Sequence, residues 1–563
     1  MREDKPCIVQ RDFTVLLEMG LSASDEARSQ LQLYAELVKS PAPFHTYRIT
    51  PLSLWHAASM GWTSDQVLDS LNTFSRWEIP ALLQADIRNY ISRYGQLILM
   101  QGSAGELLLQ CNDSKIYRFI KERQDLERYQ LEWSISDSSS NGDPSFAVVP
   151  LHYRGLLKQE LTRLGYPVQD LVGYHEGTSL SFQLGGGGAT LELRDYQKQA
   201  VEAFEGTGGV GGNGVLVLPC GAGKTVIGMA VLERLQCEAL ILTSNTTSVR
   251  QWIDELKNKT NIPGDEIGEY SGQRKQVRPV TVATYQILTH RRSKDAAFEH
   301  MKLLSERDWG LIIYDEVHLL PAPVFRATAD IQATRRLGLT ATLVREDGCE
   351  RDVFSLVGPK RYDMPWKQLE SQGWIAKVEC VEVRIPMTEP CAQQYILAEG
   401  KDRYRIAAEN PAKLDTVRAL LQQHAGKPAI VIGQYLDQLK ALSNELGAPL
   451  ISGSMAQSER VRLFEDFRMG KLDTIIVSKV ANFAVDLPDA ALAIEVSGSY
   501  GSRQEEAQRL GRILRPKAED NRAYFYALVT ADSKESEFAA RRQLFLIEQG
   551  YEYAIRHDSR KEA

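Results

Sequence analysis

Short strand-like runs recur between residues 214 and 340: Val215–Leu218, Ala239–Leu242, Val280–Ala283, Leu311–Tyr314 and Arg336–Leu339. Runs dominated by apolar, β-prone residues without alternation predict parallel strands buried on both faces. A second set follows at Ala429–Gly433, Leu450–Ser452, Thr474–Val477 and Leu492–Val496, alternating with helical patterns at Leu436–Glu445, Ser458–Phe467 and Arg503–Gly511. Strand–helix alternation of this kind predicts two α/β units, each built on a parallel sheet.

The first 180 residues lack that rhythm. An amphipathic helix is predicted over Ala23–Leu37, with Ala27, Leu31, Tyr34 and Ala35 at helical spacing. Three more helices are predicted to start near Thr50 (with proline in the first turn), at Thr63-Ser64-Asp65 and at Ile79-Pro80. With the β-like stretch Gln96–Met100 they form either a winged-helix module or a plain helical bundle. Strands at Glu106–Gln110 and Phe146–Val149, and a helix over Tyr153–Leu164, predict a second, mixed module. Gly185 to Gly188 reads as a linker.

Composition narrows the classes. The 563 residues carry a net charge of −7, so any nucleic-acid contact has to come from a local groove rather than from bulk charge. Seven cysteines without a C-x-x-C pair predict neither a zinc site nor a disulfide framework. No signal-peptide pattern and no membrane-length apolar run are present, so a cytoplasmic protein without membrane contact is expected.

The chemistry sits where the strands end. After Val215–Leu218 come Pro219, Cys220, Gly221, Ala222, Gly223, Lys224, Thr225 and Val226, in the order strand, glycine-rich turn, helix. Such a turn curls backbone N–H groups around phosphate oxygens, at the positive end of the new helix. Lys224 then reaches the β- and γ-phosphates, and the Thr225 hydroxyl ligates Mg²⁺. Leu218 stands where the strict consensus has glycine. The strand Leu311–Tyr314 ends in Asp315 and Glu316, at the carboxyl end where α/β ligands bind. Asp315 fits the holder of Mg²⁺ and Glu316 the group that activates the attacking water. Together the two motifs predict ATP hydrolysis. Gln197, with Arg194 beside it, lies ahead of the loop, where its amide can pair with adenine. The strand-end hydroxyls of Thr284, Thr340 and Thr342 suit backbone contacts or coupling, although such residues also simply cap helices. In the second half, Gln508–Arg515 reads QRLGRILR, placing Arg512 and Arg515 on one helix face as candidate arginine fingers.

The order Gln197, GAGKT, Asp315-Glu316-Val317-His318, Thr340-Ala341-Thr342, QRLGRILR resembles that of superfamily 2 helicases with tandem RecA-like domains. More narrowly, LGLTATLVREDGCERDVFSLVGP over Leu337–Pro359 is similar to the XPB-type DNA helicases, whose Arg-Glu-Asp element is here Arg345-Glu346-Asp347. A DEAD-box RNA helicase would show Asp-Glu-Ala-Asp and Ser-Ala-Thr instead. The resemblance covers roughly residues 190 to 550. It implies a motor of 3′→5′ polarity that uses ATP and Mg²⁺ on single-stranded or forked DNA in repair or transcription-linked opening. It further implies a thumb-like insert near 391–413; Arg345, Glu346 and Asp347, leaving the strand end of the Thr-Ala-Thr motif, are expected to couple DNA opening to ATP use rather than form a merely solvated loop, with His318 a further coupling candidate. The expected organisation is a helical N-terminal domain (1–101), a small mixed module resembling a damage-recognition domain (102–184), RecA-like domain 1 (185–380), RecA-like domain 2 (381–550) and a tail (551–563). A monomer is expected, with a nuclease or repair/transcription partner. Two departures stand out. Ala484-Val485-Asp486-Leu487-Pro488 lacks the glycine usual in helicase relatives, and the short stretch past Gly550 argues against membership of a large transcription complex.

Overall fold

The computed structural model describes residues 4–40, 43–103, 105–133, 144–185, 191–206, 211–219, 221–291, 298–332, 334–341, 350–478, 490–498, 521–551 and 553–557, without the side chains of residues 326, 457 and 545. The chain divides into two compact units, residues 1–218 with 223–363 and residues 364–563 with 219–222. Among the described residues no helix is long and apolar enough to cross a membrane.

The first unit holds three sheets. Its motor sheet has seven strands, all parallel, in the order Ile267–Tyr270, Val280–Thr284, Ala239–Thr243, Leu311–Asp315, Arg335–Thr340, Asn213–Val217, Lys360–Asp363. The central strands are buried on both faces, as their unbroken apolar runs require. The strand carrying Asp315 lies between those of Ala239–Thr243 and Arg335–Thr340. Acid, phosphate loop and threonine strand end are therefore brought together by topology, not by sequence proximity.

The expectation of a helical domain over 1–101 is corrected. Residues 7–48 contain an antiparallel sheet of four short strands, ordered Cys7–Val9, Thr14–Glu18, Phe44–Arg48, Glu36–Lys39. Two of these strands bury only two side chains each, Val15 with Leu17 and His45 with Tyr47, too few to announce an alternating pattern. The first helix stops at Tyr34, because Ala35 is extended (φ −140°, ψ 158°) and the chain turns into the strand Glu36–Lys39. The next two helices begin where predicted. Thr50 and Thr63 each close a capping box, with Ser53 and Gln66.

Two domain boundaries move as well. Leu97–Gln101 pairs with Leu107–Cys111 and Val168–Asp170, so it belongs to the second module and a cut at 101 splits that sheet. A cut at 380 falls inside the strand Lys377–Ile385. The division lies between Asp363 and Met364.

The second module is seated on the motor lobe within the first unit. Its helix Arg154–Arg163 comes so close to the motor helix Ala322–Asp330 that a β-carbon on Gly155 would lie 2.3 Å from the Ala329 carbonyl oxygen. Beside this crossing Asp170, with its side chain 2% exposed, pairs with Arg154 and Lys158 at 2.8 Å each, and Lys158 Nζ also donates to Gln332 Oε1 at 2.8 Å. Burial alone would raise the Asp170 pKa, but the two cations and their hydrogen bonds overcome it and hold the carboxyl well below its usual range. Lys158 shares one carboxylate with Arg154 and faces Arg336, so burial prevails there and lowers its pKa to about 8. Asp170→Asn would strand buried cations, and should cost this unit about 3–5 kcal/mol in denaturant unfolding. A loss below about 1 kcal/mol would show that water reaches the cluster.

The second unit carries a seven-stranded, all-parallel sheet. Its order is Leu450–Ile451, Thr474–Ser478, Ala429–Gly433, Leu492–Glu495, Arg522–Thr530, Lys377–Ile385, Tyr553–His557. Where the thumb-like insert was expected, the chain forms two helices, Glu389–Leu397 and Gly400–Ala408. The helix predicted at 503–511 lies outside the described residues.

Candidate nucleotide site

The helix Lys224–Leu235 follows a loop in which Gly221 and Gly223 take φ +83° and +77°. L-residues rarely adopt that region, so both glycines are required by the backbone. Pro219 and Ala222 close the turn, the Ala222 N–H donating to the Pro219 carbonyl at 3.2 Å. Lys224 opens the helix, and Thr225 and Val226 occupy its first turn, partly exposed. Gln197 is 5% exposed; its Oε1 accepts from the Arg194 N–H at 3.0 Å, and its Nε2 would stand 2.7 Å from a β-carbon on Gly223. The amide predicted to read adenine thus lies against the phosphate loop. Arg194 Nη1 donates to the Tyr196 hydroxyl at 3.2 Å.

Asp315 and Glu316 are adjacent yet differently placed. Trp252 Nε1 donates to the Asp315 Oδ2 at 2.9 Å, and the Tyr285 hydroxyl donates to the Asp315 backbone carbonyl at 2.9 Å. Burial raises its pKa, the charge of Glu316 adds to this, and the Trp252 hydrogen bond and Lys224 oppose it. A divalent cation would relieve that burial by supplying the opposite charge. The oxygen donors in place, a carboxylate and the Thr225 hydroxyl, suit Mg²⁺, which uses one or two carboxylates and takes its remaining ligands from phosphates and water.

Glu316 sits in the left-handed region at φ +53°, ψ +55°, a conformation that costs a non-glycine residue on the order of 1–3 kcal/mol. Glu316 Oε1 lies 3.6 Å from Lys224 Nζ, and Oε2 lies 3.4 Å from His318 Nδ1. His318 is buried, and its Nδ1 is hydrogen-bonded to Thr340 Oγ1 at 2.7 Å. Close contacts therefore connect Lys224, Glu316, His318 and Thr340, of which His318–Thr340 is a hydrogen bond. Because Leu218 N–H donates to the Thr340 carbonyl at 3.0 Å, the strand leading into the loop is tied to its far end.

Thr284 does not join this group. It is 4% exposed, and its Oγ1 accepts from the Ile287 N–H at 3.3 Å, the helix-capping role that such hydroxyls also take. Cys220, Thr342, Arg345, Glu346, Asp347, Arg512 and Arg515 lie outside the described residues. Sequence reasoning missed Trp252 and Tyr285 as partners of Asp315. Both are buried, but no spacing in the chain announces a contact across 63 and 30 residues.

Three family models match the chain: "ERCC3/RAD25/XPB C-terminal helicase" over residues 369–562, "Type III restriction enzyme, res subunit" over 190–345, and "Helicase conserved C-terminal domain" over 7–134. A protein of Mycobacterium tuberculosis named DNA 3′-5′ helicase XPB is 50% identical over 98% of this chain and 98% of its own length. One of the same name from Kineococcus radiotolerans is 49% identical over 98% and 96%. The general transcription and DNA repair factor IIH helicase/translocase subunit XPB of Encephalitozoon cuniculi is 33% identical over 99% and 83%. At half identity across nearly its whole length, this chain belongs to the XPB family of DNA 3′-5′ helicases.

Proposed function

We propose that this protein is an ATP-driven DNA helicase or translocase of 3′→5′ polarity that opens duplex DNA in repair or transcription-linked work. The contacts among Lys224, Glu316, His318 and Thr340 carry the reading, because they link a lysine placed to meet phosphate to the strand end at Thr340. Lys224, Thr225 and Asp315 would hold ATP and Mg²⁺, and Gln197 with Arg194 the adenine. When bound, Mg²⁺ neutralises phosphate charge.

Lys224 is 11% exposed and faces Glu316. An arriving phosphate offers it a stronger anionic partner, which frees Glu316 to orient water and accept its proton. His318 and Thr340 keep the Glu316 carboxylate aimed and pass its state to the strand Arg335–Thr340. Arg512 and Arg515 would complete the charge clamp, and Arg345-Glu346-Asp347 would couple turnover to strand separation. The helices Glu389–Leu397 and Gly400–Ala408 would act as the thumb-like DNA contact, with backbone phosphates supplying most of the affinity.

Strand displacement on 3′- and 5′-tailed duplexes tests this directly. Unwinding of the 3′-tailed duplex alone is expected, with ATPase stimulated by single-stranded and forked DNA and not by RNA. Equal use of both tails would overturn the polarity. Stimulation by RNA alone would overturn the substrate.

A further inference from the structure

The helix Thr246–Lys259 buries Val249, Trp252 and Leu256 along one stripe, and Trp252 at its centre is 1% exposed. The two ends of the indole meet different elements. At the pyrrole end Nε1 donates to Asp315 Oδ2 at 2.9 Å, on the partly exposed last residue of the strand Leu311–Asp315. At the benzene end Cη2 would lie 2.7 Å from a β-carbon on Gly228, in the helix Lys224–Leu235. Leu339 Cδ1 and Ile313 Cδ1 close on the same point from the sheet, at 3.4 and 3.5 Å. Glycine at 228 is what lets the ring edge rest there.

Gly228 and Thr225 are three residues apart on one helix, so they share a face. The rigid indole thus stands between the helix that carries Thr225 and the strand that carries Asp315. Its polar end matters as much as its length. Indole donates one hydrogen bond and accepts none. The Glu316 N–H donates to the same carboxylate, so two neutral donors orient Asp315 without cancelling its charge. A lysine or arginine in place of Trp252 would compete with a metal cation for those oxygens.

We propose that Trp252 is a positioning residue for Mg²⁺: its ring sets the gap between the Thr225 helix and the Asp315 strand, and its N–H fixes the carboxylate within that gap. The site is thereby selective for Mg²⁺ over Ca²⁺. Mg²⁺ demands near-ideal octahedral geometry, whereas Ca²⁺ accepts a larger and more flexible set of oxygens. A carboxylate released to rotate therefore costs Mg²⁺ binding more than Ca²⁺ binding. This rests on the reading of Thr225 and Asp315 as the residues that hold the metal.

Trp252→Phe keeps an aromatic ring in the stripe and removes the N–H. Equilibrium binding of the non-hydrolysable analogue AMP-PNP to the full-length protein is measured in EDTA, in Mg²⁺ and in Ca²⁺. The readout is the factor by which each ion tightens the analogue. In Trp252→Phe the Mg²⁺ factor should fall about tenfold, while the Ca²⁺ factor and the Kd in EDTA stay within about twofold of wild type. Gly228→Ala pushes on the far edge of the ring with both oxygen donors in place, and should lower the Mg²⁺ factor in the same sense. It also carries the test if Trp252→Phe does not fold. An unchanged Mg²⁺ factor in either folded variant overturns the proposal. So does equal weakening in all three solutions, which would make Trp252 a structural support only. If Mg²⁺ does not tighten AMP-PNP on the wild type, the metal reading of Thr225 and Asp315 fails first, before any variant is made.

Discussion

Glu316→Gln should bind ATP within about twofold of wild type and hydrolyse it about 10²–10⁴ times more slowly. The amide has the carboxylate's shape but cannot take a proton from water. The strained φ of +53° at residue 316 is a backbone property and does not depend on the side-chain charge. Asp315 cannot serve in its place. Its Oδ2 is occupied by Trp252 Nε1, whereas Glu316 Oε1 stands beside Lys224 Nζ at 3.6 Å. Lys224→Ala should differ in kind, since it removes the phosphate-binding ammonium and so weakens nucleotide binding as well as turnover. Equilibrium nucleotide binding and steady-state ATPase on the same preparations separate the two. A Glu316→Gln protein turning over at the wild-type rate would move the water-activating role to another group.

The two acids illustrate what the chain disclosed and what it withheld. Their position at a strand end could be read directly, because a strand buried on both faces is an apolar run and the run stops at Tyr314. The same habit ended the runs beginning at Ala239, Val280 and Arg336 one residue early. Thr243, Thr284 and Thr340 are polar, yet the ladder carries through them, pairing Thr243 with Thr284 and Val217 with Thr340. Backbone pairing does not depend on the polarity of the side chain, so a hydroxyl at the end of an apolar run is no stop signal. Lys377–Ile385 escaped for a related reason. Its sequence, KVECVEVRI, alternates charge with apolar residues and reads as a surface strand, but Glu382 is buried and satisfied by Gln543 Nε2 at 2.6 Å and Arg384 Nε at 2.8 Å. The difference in environment between Asp315 and Glu316 was not legible either, since it is made by Trp252 and Tyr285, which only the sheet order brings into range.

Arg515→Ala should lower kcat by about 10³–10⁵-fold and change KM for ATP far less. The motif QRLGRILR spaces Arg512 and Arg515 three residues apart, so on a helix both would face one way. A cation aimed at the γ-phosphate acts on charge that grows toward the transition state, so its loss falls on kcat and kcat/KM together while ground-state binding is retained. On the proposed reading, Lys224 supplies the ground-state phosphate binding, so KM should hold. Arg515→Lys refines the test. Lysine restores the charge without the planar fork, so a partial recovery assigns the effect to charge, and none assigns it to bidentate geometry. A variant with normal kcat would leave Arg515 as a solvated base and require the clamp on the γ-phosphate to be sought elsewhere. If KM rose in proportion while kcat held, Arg515 would bind nucleotide without acting on its transition state, and the division of labour with Lys224 drawn here would be wrong.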